Sequence, residues 1–78
     1  MTAREAIDRL LHQRGPDKTI CPSEAARLLA GEDGDWRSRM EEVHAAVRDM
    51  SDNGAIRLSW QGEPLSSPRG PYRIASAE

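Results

Sequence analysis

The sequence predicts an α+β fold of the winged helix-turn-helix class, with three helices, a small antiparallel β-hairpin that forms the wing, and a short third strand. Apolar residues recur at helical spacing in three segments before Asn53-Gly54. After this dipeptide, Ile56, Leu58 and Trp60 alternate with polar residues, as in a half-buried strand. A plain three-helix bundle with a disordered tail is the alternative, and it does not account for this alternation.

The length and composition predict one small domain over residues 1–78. Only 37% of the residues are hydrophobic, and the aromatic residues are two tryptophans and one tyrosine. A chain of this size buries roughly 60% of its unfolded surface, so nearly every large apolar side chain is needed in the core. A deep cavity is therefore not expected, and we expect neither an enzyme nor a small-molecule substrate.

The three helices are predicted at residues 2–13, 22–30 and 36–52. Thr2 and Glu5 have the spacing of a capping box at the start of the first helix. Pro22 stands at the first position of the second helix, where its missing N–H costs nothing, and Asp35 is a candidate N-cap for the third. The third helix has one apolar stripe, formed by Trp36, Met40, Val43, Val47 and Met50.

Three strands are predicted at residues 19–21, 55–60 and 71–75. The wing, 61–70, is rich in glycine, proline and serine, which is typical of a loop. A two-stranded hairpin is not stable alone, so we expect it to pack on the helices. The short strand at Ile20 is expected to pair with its edge.

The segment from Arg14 to Ala26, RGPDKTICPSEAA, resembles the hallmark of a small bacterial family, domain of unknown function 3253. Its later landmarks resemble Asp35-Trp36-Arg37, Gly54-Ala55-Ile56 and Arg69-Gly70-Pro71. The resemblance covers nearly the whole chain and implies a winged-helix fold, with no established activity, cofactor or catalytic residue. Family members often have a lysine beside the wing glycine, whereas this chain has Gln61-Gly62-Glu63, which does not favour a wing that grips phosphate.

Basic residues on the predicted third helix are the first indication of a nucleic-acid partner. At about 100° per residue, Arg37, His44 and Arg48 lie on one flank, where arginine can bind phosphates or guanine edges. Glu41 lies on the same flank at the spacing for an ion pair with Arg37, and the next flank is acidic. The helix face is therefore also consistent with an ordinary solvated surface.

The predicted hairpin carries the second group of basic residues. From residue 55 onward the chain has three arginines and two acidic residues, whereas the rest has 8 basic and 11 acidic residues. Strand alternation predicts that Arg57 and Arg73 share the outward side. We therefore predict weak, salt-sensitive binding to DNA or RNA, in a role connected with transcription. The candidate contacts are Arg37, His44, Arg48, Arg57, Arg69 and Arg73.

A protein-interaction or structural module is the competing hypothesis, motivated by the net charge of −2. It predicts an exposed apolar patch that includes Trp60 or Tyr72, and a protein partner or self-dimer. Trp60 either closes the core at the hairpin or anchors a partner. Because the chain has few large side chains, we predict that Trp60 lies in the core.

The single cysteine and the first residues of the sequence limit which catalytic or metal sites and which cellular locations are expected. Cys21 cannot form an internal disulfide, and we expect a buried small hydrophobe rather than a nucleophile. One cysteine and two separated histidines fit no structural zinc spacing, so we expect no metal, cofactor or catalytic site. The charged first residues and the absence of a long apolar run predict a cytoplasmic protein that does not bind membranes.

Overall fold

The computed structural model describes residues 1–32, 34–68 and 70–77, which form three α-helices, a 3₁₀ helix and one antiparallel sheet. This arrangement confirms the predicted α+β class and is winged-helix-like. In chain order the elements are α1 (Ala3–Arg14), β1 (Thr19–Ile20), α2 (Pro22–Ala30), the 3₁₀ helix (Trp36–Arg39), α3 (Met40–Asp52), β2 (Ile56–Trp60), β3 (Glu63–Leu65) and β4 (Arg73–Ser76).

The predicted capping box starts α1. The Glu5 amide donates to Thr2 Oγ1 at 3.1 Å, and the Thr2 amide donates to Glu5 Oε1 at 2.8 Å. Two amides that have no partner inside the helix are thereby satisfied. These bonds hold the pKa of Glu5 below its usual value. At the other end the Gly15 amide donates to the Leu11 carbonyl.

A single carboxylate joins the end of α1 to the start of α2. Glu24 Oε1 accepts from Arg14 at 2.7 Å, and Glu24 Oε2 accepts from the Cys21 amide at 2.8 Å. Burial raises the pKa of Glu24, but the hydrogen bonds from Arg14 and from the Cys21 amide outweigh it and hold the pKa below its usual value. The bridge fixes the chain on both sides of β1.

The third helix differs from the prediction in its first turn. Residues 36–39 form a 3₁₀ helix, and the α-helix begins at Met40. The Asp35 side chain makes no capping hydrogen bond, and the Ser38 hydroxyl instead donates to the Asp35 carbonyl. Residues 36–52 are thus helical over the predicted range, but the first turn is 3₁₀ and the predicted Asp35 side-chain cap is absent, because a local turn takes its place.

The sheet has the strand order β1-β4-β2-β3, with every neighbouring pair antiparallel. β4 lies between β2 and β1, which confirms both the predicted hairpin and the predicted pairing of the Ile20 segment. In the register, Leu58 lies opposite Ile74, and Ile74 lies opposite Ile20. These three buried side chains form one row on the face that the helices cover.

The wing contains a strand that the sequence did not predict. β2 and β3 are joined by Gln61-Gly62, whose φ angles of 52° and 84° are both in the left-handed region. Two such residues form the hairpin turn that matches the twist of the flanking strands. The prediction of a loop over 61–70 was wrong for residues 63–65, because Gln-Gly is a weak signal for this turn.

The core consists of small and aliphatic side chains from the helices and one face of the sheet. Its buried members are Ala3, Ala6, Ile7, Leu11, Ile20, Ala25, Ala26, Val43, Val47, Met50, Ile56, Leu58, Tyr72 and Ile74. Trp36 and Met40, the first two residues of the predicted stripe, pack only partly against it. None of the described helices is long and apolar enough to span a bilayer.

Trp60 was predicted in the core, and this was wrong. Its side chain is 39% exposed, although it lies on the same sheet face as the buried Ile56 and Leu58. Strand alternation decides which face a residue lies on, but not whether another element covers it. Trp60 is the last residue of β2, where the hairpin extends beyond the helices.

The turn can be tested by two substitutions with opposite effects. Gly62→Ala puts a Cβ at positive φ and should lower the free energy of unfolding by about 1–2 kcal/mol. Gln61→Asn should raise it by several tenths of a kcal/mol, because asparagine tolerates this conformation better than glutamine. Urea unfolding followed by circular dichroism measures both. If both substitutions changed the free energy of unfolding in the same direction, the left-handed turn at Gln61-Gly62 would be contradicted.

Candidate binding surface

A shallow cleft separates α3 from the loop that leads into β4. Its lining residues are Glu41, His44, Arg48, Pro68, Gly70 and Tyr72. The structure therefore brings together two of the six predicted contact residues, His44 and Arg48. Both lie on α3, on the side that faces the loop leading into β4.

A hydrogen bond between His44 and Tyr72 closes the base of the cleft. The His44 Nδ1 and Tyr72 hydroxyl atoms are 2.6 Å apart, and the rings meet edge to face at 5.6 Å between centroids. Burial raises the pKa of Tyr72 to about 12, against the smaller opposing effect of the Arg48 guanidinium. Which of the two groups donates in this hydrogen bond depends on the tautomer of His44. The contact ties α3 to the start of β4.

The cleft also presents two opposite charges that form no ion pair with any described residue. Arg48 and Glu41 are both exposed on α3. Within the described part of the chain, neither side chain forms an ion pair. Both are therefore available to a partner at this surface.

The rest of the exposed face of α3 is acidic. Asp49 and Asp52 are exposed, and Glu42 forms an ion pair with Arg39. That pair holds the pKa of Glu42 below its usual value. Arg48 is thus the one cation among the charged residues of α3 itself, Met40–Asp52, which lies wholly within the described residues. The predicted positive flank does not extend along the helix.

Arg37 lies in the 3₁₀ helix and stacks on the neighbouring aromatic residue. Its Cζ atom is 4.5 Å from the centroid of the Trp36 ring, and Arg27 Cζ is 4.7 Å from the same centroid. These are cation–π distances. The ion pair with Glu41 that the sequence spacing allows does not form, because the tighter 3₁₀ winding changes the angular relation between the two positions.

The Arg73 side chain is held by hydrogen bonds to neighbouring residues of the protein. Its Nε donates to Thr19 Oγ1 at 3.0 Å, and its two terminal nitrogens donate to the Thr19 carbonyl and to Cys21 Sγ at 3.2 and 2.6 Å. The side chain thereby fastens β4 to β1 and to the start of α2. Cys21 is partly exposed rather than buried, so the expectation of a buried hydrophobe was wrong.

The remaining candidates on the predicted hairpin are Arg57 and Arg69. Arg57 lies opposite Ala75 and Arg73 lies opposite Ser59, which confirms that the two arginines share the sheet face that the helices leave open. Arg57 is exposed and, among the described residues, forms no ion pair. Arg69 lies outside the described residues.

Tyr72 is the cleft residue whose role the sequence analysis missed. Its alternation with Ile74 would have placed it on the buried face of β4, and a buried tyrosine hydroxyl needs a polar partner. Which partner it finds depends on how α3 crosses the sheet. His44 is far from Tyr72 in sequence, so local patterns do not connect the two residues.

Trp60 extends this surface onto the wing. It is paired with Glu63 on β3, and continuing the β2–β4 register one step beyond Ser59 and Arg73 places it opposite Tyr72. Glu63, Trp60 and Tyr72 therefore form one row across three strands. We call the exposed surface formed by Glu41, Arg48, Trp60 and Glu63 the helix–wing surface.

Helices on one face of an antiparallel sheet, with a hairpin that projects beyond them, define a winged-helix-like protein. The chain belongs to the family described as "Protein of unknown function (DUF3253)", whose model matches residues 1–77. The family resemblance noted in the sequence is thereby confirmed. No curated protein matches the chain.

The burial of Tyr72 predicts a loss of stability at high pH. Its pKa is near 10 when unfolded and about 12 in the fold, so folding favours the protonated form. The stabilisation is complete below pH 10 and should be lost as the pH rises to about 12, by up to about 3 kcal/mol. Because the chain has one tyrosine, near-ultraviolet tyrosinate absorbance measures this titration directly. The same titration in concentrated urea gives the curve of the unfolded protein. If the folded and unfolded proteins ionised over the same pH range, the burial of the Tyr72 hydroxyl would be contradicted.

The structural role of Arg73 is tested against Arg57 on the same sheet face. Arg73→Met leaves the acceptors of Thr19 without their donor and should lower the free energy of unfolding by about 1–3 kcal/mol. Arg57→Met should change it by no more than about 0.5 kcal/mol. Urea unfolding of the two variants measures the difference. Equal effects would show that the Arg73 hydrogen bonds do not fasten β4 to β1.

Proposed function

We propose that this protein is a winged-helix-like interaction module that binds another protein through the helix–wing surface, with Trp60 as the anchor. The exposure of Trp60 is the observation that carries the proposal. Met1 and Trp60 are the exposed large hydrophobic side chains among the described residues. Tryptophan is enriched among the residues that contribute most binding energy at protein interfaces, and a small domain has few such side chains to leave in solvent.

The charge of the same surface favours a protein over nucleic acid. A recognition helix in the major groove must approach phosphates on both sides, and α3 exposes Glu41, Asp49 and Asp52 there. The wing adds Glu63 beside Trp60. Arg73, which could have contributed positive charge, uses its guanidinium nitrogens within the sheet. Among the described residues, the exposed arginines Arg48 and Arg57 lie on different elements, α3 and β2.

Weak binding to DNA or RNA, connected with transcription, is the second candidate function. It rests on Arg48 in the cleft and Arg57 on the open sheet face, both exposed and without an ion pair in the described part of the chain. Two such contacts provide at most the weak and salt-sensitive affinity of nonspecific complexes.

We further propose that the module is not an enzyme and acts in a reducing cytoplasm. The thiol of Cys21 accepts a hydrogen bond from Arg73, and neither histidine is hydrogen-bonded to it among the described residues. Within residues 1–32, 34–68 and 70–77 no three histidine, cysteine or acidic side chains are grouped as a metal site. An unpaired cysteine in a small domain is typical of reducing compartments.

The protein-binding function is tested by selecting peptides from a random display library on the intact protein. We expect clones whose affinity falls at least about tenfold on Trp60→Ser, because an interface anchor contributes about 1.4 kcal/mol or more. Lys18→Ser, a change at an exposed residue outside the surface, is the matched control and should leave affinity unchanged. Circular dichroism verifies that both variants fold.

Two outcomes would overturn the proposal. One is a selection that gives no Trp60-dependent clone. The other is binding of an unrelated DNA or RNA duplex at about 100 µM protein and low salt, with affinity that falls on Arg48→Ala and Arg57→Ala and not on Trp60→Ser. That second result would establish the nucleic-acid function instead.

A further inference from the structure

The helix–wing surface places carboxylates on both sides of its anchor. Glu63 is the residue paired with Trp60 on the edge strand β3. On the other side, Tyr72 leads to the cleft where Glu41 lies on α3. Glu41 and Glu63 are exposed, and neither forms an ion pair among the described residues. An apolar side chain seated on Trp60 would therefore have negative charge on both flanks.

Arg48, the cation of this surface among the described residues, restricts how a partner can lie on it. Arg48 lines the cleft beside His44 and Tyr72, and its charge acts on the Tyr72 hydroxyl. A cation of a partner is thus repelled by Arg48 and attracted by Glu41, which lines the same cleft, and by Glu63 on the wing. Further along α3, Asp49 and Asp52 extend the negative border.

We propose that the occupant of the helix–wing surface is a protein segment with an apolar residue flanked by lysines or arginines. This inference rests on the proposed protein-binding function and names the class of its partner. The apolar residue covers Trp60, and the flanking cations meet Glu41 and Glu63. A nucleic acid would bring phosphates to the same carboxylates, and an acidic segment would be repelled by both. Charge complementarity selects the basic segment.

The composition of Trp60-dependent clones from the display selection is the first measurement. We expect lysine and arginine to exceed aspartate and glutamate next to the apolar position. A synthetic peptide of the strongest clone should bind about threefold to tenfold less tightly to the Glu41→Gln/Glu63→Gln double variant. Its affinity should also fall as salt rises, because exposed charges are screened. Asp8→Asn/Asp17→Asn, which removes two exposed charges elsewhere, is the matched control.

The outcomes separate this inference from the function on which it rests. Trp60-dependent clones without basic residues, or with equal affinity for the Glu41→Gln/Glu63→Gln variant and the native protein, would overturn the partner class and leave protein binding intact. Absence of any Trp60-dependent clone would overturn the function itself. Preference for a nucleic-acid duplex over the peptide would overturn both.

Discussion

The placement of β4 between β1 and β2 is the constraint on which the rest of the structure depends. This strand pairs on one side with β1, from the first third of the chain, and on the other with β2, from which β3 separates it in sequence. Three consecutive residues at its start contact different elements. Tyr72, just before the strand, binds His44 on α3, and Arg73 binds Thr19 on β1 and Cys21 at the start of α2. Ile74 is buried in the core. An isolated hairpin would be marginal in water, so these side-chain contacts are what make the sheet and the helices one unit.

The same placement divides the charge of the molecule. Arg57 and Arg73 lie on the open face of the sheet, whereas the carboxylates of α3 lie on the helical side together with Trp60. A winged-helix-like fold is often associated with DNA, but a fold hosts many functions and the surface decides among them. Here α3 and the wing expose Trp60 and the carboxylates of Glu41 and Glu63, which form no ion pair among the described residues. We therefore base the proposed protein partner on the surface chemistry and not on the fold class.

Much of the fold could be predicted because the relevant signals are local. The capping box at Thr2 depends on residues three positions apart, and the strand alternation after Asn53-Gly54 on neighbours two apart. The predictions failed where a distant or weak signal decided the outcome. β3 depends on Gln61 adopting a positive φ, which glutamine rarely does. The 3₁₀ start of the third helix has the Ser38 hydroxyl bound to the Asp35 carbonyl, and its first residue, Trp36, contacts Arg27 of α2.

The sequence by itself determined which faces are apolar, where the helices and the main strands lie, and which residues carry charge. The tertiary structure alone decided which of those charges remain available, because that depends on contacts between residues far apart in the chain. In the fold the Arg73 nitrogens bind Thr19 and Cys21, and Glu42 of α3 pairs with Arg39, whereas Arg48 and Glu41 form no ion pair among the described residues. The fold also leaves Trp60 in solvent. Alternation assigns a side chain to a face, but only the extent of the neighbouring helices determines whether that face is covered.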